Sequence, residues 1–169
     1  MQIDVSKTPI ENLILQIKET NPASTVTAAQ FTAGLPVAID VGLGRGNTDL
    51  ILTSVPGAGK SGTKTLSYTR LTVAQGQTVP VTSVAVVASD DEAETLAKIV
   101  AALGLIGAEV VGSNYIAPVD AETDGLITIA GKADSLTYLP TTVDITLTLS
   151  ETSLEEDIPN GVLGGFDAA

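Results

Sequence analysis

The chain has no cysteine, no histidine and no tryptophan. Without cysteine there is no disulfide, no thiolate nucleophile and no cysteine-held metal. Without histidine there is no imidazole general base, no Ser-His-Asp triad and no histidine ligand for haem or zinc. Three Tyr and two Phe are the only aromatics in 169 residues. Aromatic side chains anchor most interfaces and ligand pockets, so their scarcity argues for a packed aliphatic scaffold over a small-molecule pocket. Positive charge is also scarce: 8 Lys and Arg stand against 20 Asp and Glu, a net charge of −12. Phosphates must be met by Lys and Arg, so nucleic acid is not an expected partner, and an anionic membrane would repel the chain. No cofactor or metal is called for.

Long apolar runs are missing as well. The longest, Ile99 to Ala108, is interrupted by Gly104 and Gly107 and is about half a bilayer span. Residues 1–20 carry Asp4, Lys7, Glu11, Lys18 and Glu19, without the basic and then apolar regions of a secretory signal. The expected location is therefore the cytoplasm, unless the protein leaves as part of a larger particle. What is present is aliphatic: 44% hydrophobic residues and a mean hydropathy of +0.34. That excludes a disordered acidic chain and gives one domain, or two small ones packed together.

Two segments predict helices. Thr8-Pro9-Ile10-Glu11 is a capping box with Pro at the first helical position. Ile10, Leu13, Ile14 and Ile17 follow as one apolar stripe, and Asn21-Pro22 ends it. Ser89-Asp90-Asp91-Glu92 is a second such box, Ser-x-x-Glu, with Ala93, Leu96, Ala97, Val100 and Leu103 on one face and Gly104 placed to end the helix. Two segments predict hairpins: 49–53 returning through 63–71, and 126–130 returning through 142–149. Further strands are expected at 80–88 and 37–41. The fold class is α+β, two short helices packed on antiparallel hairpins. Helix then hairpin occurs at 8–71 and at 89–149. This is either a pseudo-repeat or the ordinary recurrence of elements in an α+β chain. Residues 1–150 form the expected single domain. Residues 151–169 hold Glu151, Glu155, Glu156 and Asp157 but no basic residue, with Val162, Leu163 and Phe166 among Pro and Gly. Such a segment builds no core of its own. It is either a disordered end or an acidic arm that docks on a neighbouring subunit.

Several motifs fall short of the chemistry they suggest. Pro56-Gly57-Ala58-Gly59-Lys60-Ser61 lacks the first glycine of a phosphate-binding loop, because that position is Ser54. It also runs into a strand pattern rather than a helix, so a hairpin tip is the better reading. In Gly42-Leu43-Gly44-Arg45-Gly46 the third glycine is misplaced for a dinucleotide fingerprint. Asp120-Ala121-Glu122-Thr123-Asp124-Gly125 opens like a calcium loop, but the twelfth position is Gly131 rather than a bidentate Glu. At most, weak divalent binding is left there. Paired carboxylates for a small hydrolase have no supporting pattern.

Charge distribution is the stronger signal. Arg45, Lys60, Lys64 and Arg70 are half of the basic residues, and between Val41 and Ser89 the only acid is Asp49. This basic stretch in an acidic chain is either chance clustering on a solvated hairpin or a contact patch. Opposite patches on neighbouring subunits set register.

The ordered series of pieces resembles a recurrent domain of virion structural proteins of tailed bacteriophages. The likeness rests on an Ile/Leu-rich helix ending in Thr20-Asn21, then Phe31-Thr32 and Asp49-Leu50-Ile51-Leu52-Thr53. It continues with Thr65-Leu66-Ser67-Tyr68-Thr69-Arg70-Leu71, a second helix with Leu103-Gly104-Leu105, and a final hairpin through Leu136-Thr137-Tyr138-Leu139-Pro140 and Val143-Asp144-Ile145-Thr146-Leu147. Tyr-x-Arg-Leu at the strand end is its most recognisable part. The resemblance spans most of residues 8–149. It implies a non-enzymatic protein that assembles on the particle, with no catalytic residues. The first expectation is a capsid decoration protein bound to other virion proteins and to copies of itself. A neck or tail connector, or a non-viral surface adhesion module, is the alternative. The expected contacts are Arg45, Lys60, Lys64 and Arg70 on the basic stretch, with Leu163 and Phe166 on the arm.

Overall fold

Thr8 opens the first helix as the sequence predicts. Its hydroxyl accepts from the Glu11 N–H, and the Glu11 carboxylate accepts from the Thr8 N–H at 2.8 Å. Helix α1 runs Pro9–Thr20. The computed structural model describes residues 3–40, 46–120 and 122–150. Within them α1 is followed by β1 (Phe31–Ala33), β2 (Val37–Ala38), β3 (Thr48–Ser54) and β4 (Thr63–Tyr68). Next come a short α2 (Val73–Gly76), β5 (Ser83–Val86), α3 (Glu92–Leu103), β6 (Val110–Ile116), β7 (Gly125–Gly131) and β8 (Thr142–Leu149). The fold is α+β.

The first sheet is centred on β3. β4 covers one edge of β3 from Thr48↔Tyr68 to Thr53↔Thr63, and β1 and β2 follow each other along the other edge. Alternation divides its faces. Leu50 and Leu52 point to α1 and form a small core with Leu13, flanked by Ile10, Ile17, Phe31 and Leu66. Ile51, Thr53, Thr63 and Thr65 point the other way and are exposed.

The second sheet has the order β5-β8-β7-β6. It is mixed rather than a pure hairpin, because β5 lies parallel to β8. Helix α3 links β5 to β6 across the buried face, where Ile99 and Leu103 meet Val84, Val110, Ile127, Ile129, Ile145 and Leu147. Both halves contain a helix followed by a hairpin, but the repeat does not extend to strand pairing.

Three local readings change. The α3 capping box is Asp91 with Glu94, not Ser89 with Glu92. Asp90 is drawn aside to accept from the Val87 N–H and to pair with Lys98, so the helix starts two residues later. Its buried side is accordingly Thr95, Ile99 and Leu103, with Ala93 and Ala97 exposed. Gly104 does end it, in the left-handed conformation at φ 63°. Strand β6 and helix α2 have no counterpart in the sequence reading. In β6, Gly112, Ser113 and Asn114 are weak strand formers, and the register shifts between Ser113 and Ile116 with Asn114 at φ 53°.

Candidate functional site

The Gly-rich segment between β3 and β4 is a hairpin tip, as its sequence suggests. Gly57, Gly59 and Gly62 adopt φ of 80°, 79° and 87°, a region that disfavours residues with a Cβ. The Ser54 N–H donates to the Gly62 carbonyl to close the turn, and the Gln30 side chain pins the tip by donating to the Ala58 carbonyl. No helix follows, so the tip lacks the aligned amides of a phosphate-binding loop.

Lys60 lies on this tip and Lys64 lies just beyond it in β4. Both are exposed, and among the described residues neither has an ion-pair or hydrogen-bond partner. Lys64 pairs in register with Leu52, so it rises on the side of the sheet that faces α1. There the end of α1 leaves the sheet partly uncovered. A shallow groove of about 210 Å³ opens with Ile17, Phe31, Leu52 and Leu66 along its apolar floor and Lys60 and Lys64 at its rim.

Arg70 does not join them, which corrects its place among the expected contacts. Its side chain is buried, 3% exposed. Nε donates to Thr48 Oγ1 at 3.0 Å, and Nη1 donates to the carbonyls of Ser135 at 3.0 Å and Tyr138 at 3.4 Å. The cause is alternation: Leu66, Tyr68 and Arg70 share the inward face, while Thr65, Ser67 and Thr69 share the exposed one. The period-two pattern of the strand turns Arg70 inward, against the expectation that a guanidinium lies at the surface. Arg45, Leu163 and Phe166 lie outside the described residues. Of the expected contacts, the structure therefore brings together Lys60 and Lys64.

Arg70 instead belongs to the polar junction between the two halves, which sequence reasoning missed. Tyr68 Oη donates to the Leu136 carbonyl at 2.9 Å, and the Leu71 N–H donates to the Thr137 carbonyl. Tyr138 is fully buried and its Oη accepts from the Ile106 N–H at 3.2 Å. Its ring leaves no space for a Cβ at Gly76, which would approach Tyr138 Cε1 at 2.4 Å. The Glu109 carboxylate is 5% exposed; one oxygen accepts from the Leu136 N–H and the other has no hydrogen-bond partner among the described residues. Burial pushes the Tyr68 phenol up to about 12, against a smaller opposing pull from Arg70. Burial also raises Tyr138. Tyr68, Arg70 and Leu71 of the Tyr-x-Arg-Leu strand end thus each bind the second half.

Carboxylates elsewhere serve local structure. Glu11 is held below the usual range by the Thr8 side chain and then its N–H. Asp90 is lowered by Lys98 and the Val87 N–H. Asp120 is lowered by Thr123 and the Glu122 N–H, as in a closed turn. Among the described residues no group of three or more Asp and Glu is placed to hold a metal ion, and no helix is long and apolar enough to cross a membrane.

No curated protein and no solved structure matches the chain. The family model that matches is DUF7941, a family of unknown function, and it covers residues 2–168. With nearly the whole length matched, the chain belongs to the DUF7941 family.

Proposed function

We propose that this is a non-enzymatic structural protein of a bacteriophage virion, a capsid decoration protein that stabilises the head by binding its lattice. The observation that carries the reading is the lysine pair over an apolar groove, without partners among the described residues, on a chain of net charge −12. Such a patch suits contact with an acidic surface of a neighbouring subunit, another virion protein or a second copy of this chain, where complementary charge sets register and rate of encounter.

Two further features support it. Each sheet has one face turned away from its apolar core, and these faces carry solvent-accessible threonines: Thr32, Thr53, Thr63 and Thr65 on the first, Thr142, Thr146 and Thr148 on the second. Threonine suits a pleated face that stays wet. The acidic groups with lowered titration serve as caps and turns, roles that need no substrate. A protein that binds a lattice and not its dissociated subunits stabilises that lattice by mass action. Partners are then other virion proteins, chiefly the major capsid protein, and the location is the particle assembled in the host cytoplasm.

The test is quantitative mass spectrometry of purified particles, counting this chain against the major capsid protein. Hundreds of copies per particle are expected. About six to a few tens would move it to the neck or tail, where cyclic symmetry sets the number. Absence from the particle would overturn the virion reading.

A further inference from the structure

The lysine-rimmed groove needs an occupant that is both apolar and acidic, and the chain contains one. Residues 151–169 hold five acids, Glu151, Glu155, Glu156, Asp157 and Asp167, and no base. They also hold Leu154, Ile158, Val162, Leu163 and Phe166, in a segment whose Pro and Gly prevent a core of its own. We propose that residues 151–169 of one copy dock in the β3–β4 groove of a second copy, with Leu163 and Phe166 on the apolar floor and the acids against Lys60 and Lys64.

The length of the segment allows it to reach a neighbouring copy. The groove lies at the hairpin tip, where Thr53 pairs with Thr63, whereas the other end of the same strands, at Thr48↔Tyr68, forms the junction. Strand β8 starts at Thr142, three residues beyond Leu139 at the junction, and ends beside β5, where the Ser150 N–H donates to the Val86 carbonyl at 2.7 Å. Groove and departing segment are each carried about 20 Å or more of strand from the junction, one on each half. The 19 residues of 151–169 extend to about 60 Å, enough to cross to an adjacent molecule. Donor and acceptor are different surfaces, so the contact is head-to-tail and propagates into chains or closes into rings. The inference concerns self-association alone and does not depend on the virion reading.

Sedimentation velocity on the full chain tests it with two variants. Lys60→Glu with Lys64→Glu spoils the groove and leaves the segment intact. Leu163→Ala with Phe166→Ala does the reverse. The unaltered chain is expected to form concentration-dependent species larger than a dimer, weakened by added salt. Each variant alone is expected to associate at least about tenfold more weakly, with an unchanged melting temperature. A mixture of the two retains one competent pair and should stop at a heterodimer. Three outcomes would overturn the proposal: an unaltered chain that stays monomeric, variants that associate like it, or a mixture that stays monomeric. A variant that loses melting temperature without a change in mass would place the segment in its own groove, which also overturns it.

Discussion

The two halves of the molecule have comparable numbers of elements and very different cores. Among the described residues the second half buries a cluster of thirteen hydrophobic side chains, from Val73 to Leu147, whereas the first clusters three, Leu13, Leu50 and Leu52. The difference follows from cover. Helix α3 spans a four-stranded sheet whose inward positions are mainly Val, Ile and Leu, while α1 lies over a sheet in which one edge is two short strands and half of β4 is threonine and serine. Apolar burial contributes roughly 25 cal/mol per Å², so the second half supplies most of the hydrophobic stabilisation. The first half depends on the junction for the remainder, and it presents the groove and its two lysines, which have no partner among the described residues. Most of the buried core and the proposed interaction surface thus lie in different halves.

The largest expected effect separates the two cores. Ile129 is fully buried at the centre of the second sheet, and Ile129→Ala should cost about 3–5 kcal/mol, because closely packed neighbours cannot close the cavity. Leu50→Ala removes a side chain that is just as buried, 1% exposed, but from a core open to solvent at the groove. It should cost about 2 kcal/mol, the lower end of such substitutions. Urea unfolding followed by circular dichroism measures both. Equal losses would mean that the halves contribute equally and that the contrast in buried side chains misleads.

Next in size is the loss of Arg70. Arg70→Met keeps much of the volume but strands the Ser135 and Tyr138 carbonyls and the Thr48 hydroxyl. Hydrogen bonds to a charged group are worth about 1.5–3 kcal/mol, and a loss of about 2–3 kcal/mol is expected. Its distribution is more informative than its size. Amide hydrogen exchange should quicken in β3, β4 and α1 while β7 and β8 keep their protection, since local opening follows the weakest packed unit. Uniform quickening would show that the junction holds both halves equally.

What the sequence revealed, and what it hid, divides along the same line. Helices with a local stop and start were legible: Thr8, Pro9 and Glu11 specify α1 within a few residues of chain. The two hairpins were legible because turn residues and alternation are local as well. The parallel pairing of β5 with β8 was not, since it joins residues about sixty apart and leaves no mark in either strand. Arg70 shows the limit most clearly. Its partners, Thr48, Ser135 and Tyr138, are 22 to 68 residues away, so charge type outweighed strand phase in the reading. Of the candidate site, Lys60 and Lys64 were legible as a basic hairpin. The groove beneath them was not, because its floor is assembled from α1, β1, β3 and β4.

The smallest effect bears on the junction alone and is read through pH. Tyr68→Phe removes the donor to the Leu136 carbonyl and should cost about 1 kcal/mol at neutral pH. The same phenol makes the fold sensitive to base. Its pKa is about 12 in the folded protein against an ordinary 10, so the folded state holds this proton more tightly than the unfolded state. The stabilisation from that difference is fully present below pH 10 and is lost as pH rises from 10 to 12. Tyr138, raised in the same direction by burial, adds to the loss. The unaltered protein should therefore fall in stability across this window, and Tyr68→Phe should fall less steeply because only Tyr138 of the junction pair remains to ionise. Urea midpoints at pH 9, 10 and 11, with ultraviolet absorbance reporting tyrosinate, measure both slopes. Identical slopes would mean that Tyr68 ionises without opening the junction, and the first half would then be held by Arg70 and the Leu71 backbone contacts instead.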